Sequence, residues 1–147
     1  MDNTATRAIE LLQRLIATPS VSRDEARTGD LLEEYLAARG ARPARLHNNV
    51  WARSEGFDPA RPTLLLNSHH DTVRPAASWT RDPWTPTFEE GRLYGLGRND
   101  AGASVVALTE TFLALRDKAL PFNPLLALPA EEQRMGAPGT RPLCPAS

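Results

Sequence analysis

Thr63-Leu64-Leu65-Leu66-Asn67-Ser68-His69-His70-Asp71 is the stretch on which the reading of the chain turns. A compact apolar run of this length suits a central strand buried on both faces. The polar cluster behind it falls at the strand's C-terminal end, where open α/β sheets place their sites. Outward toward the N-terminus, two helical patterns precede the strand. Ile9, Leu12, Leu15 and Ile16 recur at helical spacing within residues 4–17, with Ala5 and Ala8 extending the stripe. Thr4 is the expected N-cap and Pro19 the stop. Ser22-Arg23-Asp24-Glu25 reads as a capping box opening a second helix. Its expected buried stripe is Leu31, Leu32, Tyr35 and Leu36, and Gly40 is its C-terminal cap. Short, weakly alternating segments near 44–46 and 50–53 read as strands.

Toward the C-terminus, residues 74–90 hold Pro75, Pro83 and Pro86 with Trp79 and Trp84 between them. They predict a long irregular loop in which the tryptophans are anchors rather than a substrate cage. Gly91-Arg92-Leu93-Tyr94-Gly95-Leu96-Gly97 reads as a short strand with glycine punctuation. Asp100 is expected to cap a helix running to about Lys118, its core supplied by Val105, Val106, Leu108, Phe112, Leu113 and Leu115. A last apolar run, Pro124-Leu125-Leu126-Ala127-Leu128, leads to Glu131-Glu132. Strands alternate with helices, so the expected class is α/β: helices packed on a mostly parallel, incomplete sheet. Residues 1–132 read as one partial domain. Residues 133–147, with three prolines, two glycines and no periodicity, read as an irregular tail. The composition break after Glu132 fits an out-of-frame or truncated end.

Composition narrows the function classes. The 147 residues are 41% hydrophobic and 24% charged, which suits a globular chain. A net charge of −1 lacks the basic surplus that a general nucleic-acid binder needs. The single cysteine, Cys144, excludes a disulfide framework within the chain and fits a reducing compartment. No apolar run approaches a membrane span, and Met1-Asp2-Asn3-Thr4 lacks a signal peptide's basic start. The expectation is a soluble, cytoplasmic protein with neither a nucleic-acid nor a membrane partner.

Three clusters could carry chemistry. On an extended chain, residues i and i+2 project to one side, so His69 and Asp71 can meet while His70 points away. A metal-binding histidine offers one nitrogen to the ion and donates the other N–H to a carboxylate or carbonyl. Taken alone, the commoner meaning of His-x-Asp is a solvated strand end. Asp100, within Asn99-Asp100-Ala101-Gly102, would stay ionised at a helix start with an oxygen left for a cation. Alone, it reads as an ordinary N-cap. Glu131-Glu132 could divide labour, one binding a metal and one taking a proton from water, although a solvated acidic turn is commoner. His47 reads as a surface turn residue, and Cys144 has no catalytic context.

Order and spacing together change this picture. The run from Leu64 to Val73 resembles the first metal motif of the acetylornithine deacetylase/succinyl-diaminopimelate desuccinylase family of zinc metallopeptidases. Asp82-Pro83-Trp84-Thr85-Pro86, the segment Gly91 to Gly97 and Asn99-Asp100-Ala101-Gly102-Ala103 continue the resemblance. Ala130-Glu131-Glu132 falls at the family's acidic cluster, and the segment Ile16 to Ser22 is similar to its first helix exit. The texture most resembles the acetylornithine deacetylase branch.

The resemblance implies two zinc ions, with cobalt an alternative, in an α/β catalytic domain that hydrolyses an amide bond with an activated water. His69 would ligate zinc, Asp71 would orient His69, and Asp100 would bridge both metals. In one register Glu132 is the general base and Gln133 stands where a ligand carboxylate belongs. In a register slipped by one, Glu131 is the base and Glu132 the ligand. The first is preferred. The implied substrate is a small N-acyl amino acid such as N-acetylornithine. Gln133 and Arg98 depart from the family's pattern, and family chains run to more than twice this length. The later acidic and histidine ligands and the dimerisation domain have no counterpart here. The expectation is therefore a fragment with little activity; the alternatives are a non-catalytic metal-binding or interaction fragment and an unstable product of a disrupted gene.

Overall fold

The computed structural model describes residues 3–21 and 25–130. Three helices pack with a four-stranded sheet, and a two-stranded hairpin stands apart from it. The α/β class is as the sequence implies. Among the described residues no helix is long and apolar enough to cross a membrane.

Helix α1 spans Asn3–Ile16 and buries Leu11, Leu15 and Ile16. Leu15 and Ile16 are buried and Ala8 and Leu12 pack against the core as expected, but Ile9 is exposed and Leu11 takes its place in the buried stripe. A stripe with either residue fits a period of 3.6, and only packing chooses between them. Thr4 lies inside the first turn, not at the cap, and its Oγ1 accepts a hydrogen bond from Arg7. Helix α2 spans Ala26–Ala38 with Glu25 at its N-cap. The expected capping box therefore does not form in that register, because Glu25 precedes the helix rather than occupying its third position. Ser22 itself lies outside the described residues. At the other end Gly40 N–H bonds Ala37 O and Ala41 N–H bonds Leu36 O. That pair of bonds is a Schellman closure, as Gly40 predicts.

Strand β1 (Ala44–Leu46) turns through His47, exposed and at φ 56°, into β2 (Asn49–Arg53). Strand β3 is Thr63–Asn67 and β6 is Asn123–Leu128. The sheet order is β1-β2-β6-β3. β2 pairs antiparallel with both β1 and β6, and β3 pairs parallel with β6. The sheet is thus mixed, where a mostly parallel one was expected.

The apolar run of β3, expected at the centre, is not the central strand. β6 is the buried central strand, with Leu126 and Leu128 fully enclosed. β3 lies at an edge among the described residues, with Leu64 42% and Leu65 53% exposed. Leu66 alone of its three leucines joins the core, opposite Leu126.

The expected loop over residues 74–90 ends in a strand. β4 (Thr87–Glu89) pairs with β5 (Arg92–Tyr94) through Glu90-Gly91, whose φ angles of 50° and 74° fit a two-residue type I′ turn. Helix α3 spans Ala103–Leu115 and buries Val105, Val106 and Phe112 against α1, α2 and the sheet.

Candidate metal centre

The C-terminal ends of β3 and β6 converge with the β1–β2 turn. Ser68 N–H bonds Ala127 O, and His70 N–H bonds Pro129 O, so β3's pairing with β6 continues past the strand ends. Ala130 N–H bonds Asn49 Oδ1, and Asn49 is fully buried. The link after α1 joins from the other side, with Thr72 N–H on Ser20 O and a parallel bridge between Val21 and Thr72. The segment from Ser68 to Thr72 is therefore held on both edges.

His69 and Asp71 meet as the i, i+2 relation requires. His69 Nδ1 lies 2.8 Å from Asp71 Oδ1, and both side chains are largely buried. His69 Nε2 lies 3.1 Å from Asp100 Oδ1, and the Asp100 side chain is 82% exposed. One imidazole thus stands between a buried carboxylate and an open one.

Asp100 reaches this position by a route the sequence reading missed. It is not the N-cap of α3: the helix starts three residues later, and Asp100 has φ −124° and ψ 91°. It sits in an irregular turn over Arg98–Gly102, which includes a cis Asp100–Ala101 peptide. Gly97 enters the turn at φ 75°, and a Cβ there would fall 2.4 Å from Thr72 Cγ2. A side chain at 97 would push the turn off the 68–72 segment. Gly102 N–H closes the turn on Gly97 O at 2.7 Å.

His70 is the largest surprise at the site. It points away from His69 as expected, but into the protein, where it is 5% exposed. Its Nδ1 lies 2.8 Å from Thr28 Oγ1 and its Nε2 lies 2.9 Å from Asn48 O. Desolvation lowers its pKa to about 4, against a raising influence from Asn48 O and Asp71. The ring is neutral at pH 7. Nothing in the local sequence distinguishes it from a solvated neighbour of His69, because its partners come from α2 and the β1–β2 turn.

Arg98 does not place its charge on the pair. It donates to Leu93 O and stacks 5.1 Å from the Tyr94 ring centroid. Trp79, half-exposed, lines an open cleft of about 240 Å³ with Thr72, Val73, Gly97 and Asp100. It is a wall of the space beside Asp100 rather than a buried loop anchor. Glu131, Glu132 and Gln133 lie outside the described residues, as do Cys144 and the tail. Ala130, directly before Glu131 in sequence, is fully buried.

The donor chemistry fits a divalent ion. Imidazole nitrogen and carboxylate oxygen are ordinary zinc ligands, and the buried carboxylate behind Nδ1 is the usual outer partner of a ligating histidine. Among the described residues no group of three or more such side chains is gathered to hold a metal. His69 and Asp100 supply two donors.

Comparison with known proteins agrees with this architecture. The family model described as Peptidase family M20/M25/M40 matches residues 65–146. The succinyl-diaminopimelate desuccinylase of Delftia acidovorans is 32% identical over 149 residues, covering 92% of this chain and 38% of that protein. Its namesake in Acidovorax ebreus is 36% identical over 150 residues, covering 89% and 38%. The chain therefore spans about two fifths of these relatives' length. Human carnosine dipeptidase 1 superposes with a TM-score of 0.69 at 22% identity, over 96% of this chain and 35% of that one. The Bacillus subtilis YXEP protein, described as a dinuclear metal binding peptidase, gives 0.67 at 18% identity, over 96% and 39%. At these identities the two structures speak for the fold alone. The family match covers more than half of the sequence and includes the His69–Asp71 and Asp100 motifs, and on that ground the chain belongs to peptidase family M20/M25/M40.

Proposed function

We propose that this chain carries part of the centre of a two-metal hydrolase that removes an acyl group from a small N-acyl amino acid, with zinc as the metal and cobalt as a substitute. One observation carries the reading: His69 holds Asp71 on one nitrogen and faces Asp100 on the other, beside an open cleft. When bound, the metal pair would acidify a water and polarise the acyl carbonyl. His69 and Asp100 would hold it, and Asp71 would fix the ring's orientation. Glu132 would accept the proton from the attacking water, or Glu131 in the slipped register. The rest of the ligand set would come from polypeptide beyond the described residues.

N-acetylornithine is the substrate suggested by the sequence texture. The names of the relatives favour a second candidate, an N-succinyl diamino acid. A cytoplasmic setting belongs to the same proposal and rests on the single cysteine.

The test is zinc and cobalt titration of the parent chain, His69→Ala and Asp100→Asn. Weak binding in the parent, lost in both variants, is expected, since two protein ligands fall short of the three usual at catalytic zinc. Tight binding that survives His69→Ala would put the metal elsewhere and end the proposal.

A further inference from the structure

The segment that carries His69 and Asp71 is pinned at the residue between them. All four polar groups of His70 are engaged, each by a different part of the fold. Its N–H bonds Pro129 O after β6, and its C=O accepts from Ser20 Oγ in the α1–α2 link. Nδ1 meets Thr28 of α2, and Nε2 meets the Asn48 carbonyl in the β1–β2 turn. Because a carbonyl only accepts, Nε2 carries the ring proton; Nδ1 then accepts the Thr28 hydroxyl proton, which it shares with the Glu25 carbonyl 3.1 Å from the same oxygen. With both nitrogens occupied inside the protein, His70 has none left for a metal.

We propose that His70 is a positioning residue: by fixing residue 70 on four sides it sets the angle at which His69 and Asp71 meet. The proposal rests on the metal reading only for its importance to function, not for its geometry. His69 and Asp71 share a face only while the peptide between them stays extended. Rotation of the backbone at residue 70 swings the two side chains apart. Thr28 and Asn48 prevent that rotation through the ring, and Pro129 and Ser20 prevent it through the main chain. A small side chain at 70 keeps the main-chain bonds but frees the ring's two anchors and leaves a cavity against α2.

The experiment compares the parent chain, His70→Ala, His70→Gln, Thr28→Val and Phe112→Leu. Gln can replace the Nε2 donor, and Phe112→Leu destabilises the core at a residue that is no hydrogen-bond partner of His69, Asp71 or His70. The first readout is the 15N–1H correlation of the His69 ring in metal-free protein. The Nδ1 proton of His69, held on Asp71, should be visible in the parent, in His70→Gln and in Phe112→Leu, and lost to exchange in His70→Ala. The second readout is zinc affinity, expected to fall about tenfold in His70→Ala, the lower end of what loss of an outer partner costs. Should His70→Ala fail to fold, Thr28→Val decides, with a weakened Nδ1 signal and a drop of about threefold. An unchanged His69 signal in His70→Ala, or in Thr28→Val where that variant decides, would overturn the proposal, as would equal loss in Phe112→Leu. A parent that binds no zinc would sink the metal reading, and the ring signal would still decide this one.

Discussion

Tyr35 and Glu110 show how far a buried polar group depends on partners distant in sequence. Glu110, on α3, is 4% exposed and accepts from Arg7 Nη2 at 3.0 Å and from the Tyr35 hydroxyl. Arg39 stacks on the Tyr35 ring, 3.5 Å from its centroid. Burial, and then the Glu110 carboxylate, push the Tyr35 pKa up to about 12. A phenol whose folded pKa exceeds its unfolded value near 10 binds its proton more tightly when folded. Its stabilising contribution is therefore complete below pH 10 and is lost as pH rises from 10 through about 12. Ultraviolet titration should show one phenolate appearing near pH 12 that is missing in Tyr35→Phe; the same late component in that variant would contradict the assignment. Glu110→Ala leaves the hydroxyl and the guanidinium without their acceptor. Because Arg7 is a third exposed and can turn to water, a loss of about 2–3 kcal/mol is expected in chemical denaturation. A loss within ~0.5 kcal/mol would show that water replaces the acceptor at no cost.

Among the elements, β3 and α3 depart furthest from what their sequences imply. Thr63–Asn67 and Asn123–Leu128 are both short apolar runs, and periodicity gives neither a claim to the centre. Long-range pairing gives it to β6, which bonds β2 on one side and β3 on the other. β3 is left with one edge unpaired by any described strand and with Leu64 and Leu65 exposed. Unpaired apolar edges template association. The chain should therefore self-associate in light scattering, and Leu65→Lys should reduce that association severalfold. A monodisperse parent with a sharp melting transition would refute the expectation. At α3 the local signal misleads in another way. Asn99-Asp100 resembles a cap, yet Asp100 is drawn aside to His69 and the helix begins at Ala103. The site takes the carboxylate that the helix could have used.

At the scale of the whole molecule, the chain covers 38% of relatives such as the Delftia acidovorans desuccinylase, and its described residues bring together His69 and Asp100, the two donors proposed for the metal. Two-metal hydrolysis needs both ions about 3.5–4 Å apart around one water. Groups acting as a unit lose most of their effect when members are missing. The chain alone should hydrolyse N-acetylornithine and N-succinyl-diaminopimelate negligibly, even with excess zinc or cobalt. An amidase assay beside a His69→Ala control checks this. Metal-dependent turnover abolished by that substitution would mean that the chain holds more of the centre than these two donors.

The sequence by itself determined the α/β class, the five described strands whose apolar or glycine-bounded runs are local, the Gly40 helix closure and the meeting of His69 with Asp71. Each follows from spacing along a few residues: a period of two on a strand, or a glycine where a helix must end. The β4 strand escaped because the prolines and tryptophans of the loop before it dominate the local pattern. Only the tertiary structure decided which apolar strand is central, that Leu11 rather than Ile9 faces the core from α1, and where Asp100 points. It alone turned His70 from a neighbour of the site into a buried, fourfold-bonded residue. These outcomes depend on partners 22 or more residues away, as in His70 with Asn48 and Ala130 with Asn49. Contacts at such separations leave no periodic trace in the chain, because what selects them is the burial and hydrogen bonding available once the elements have packed.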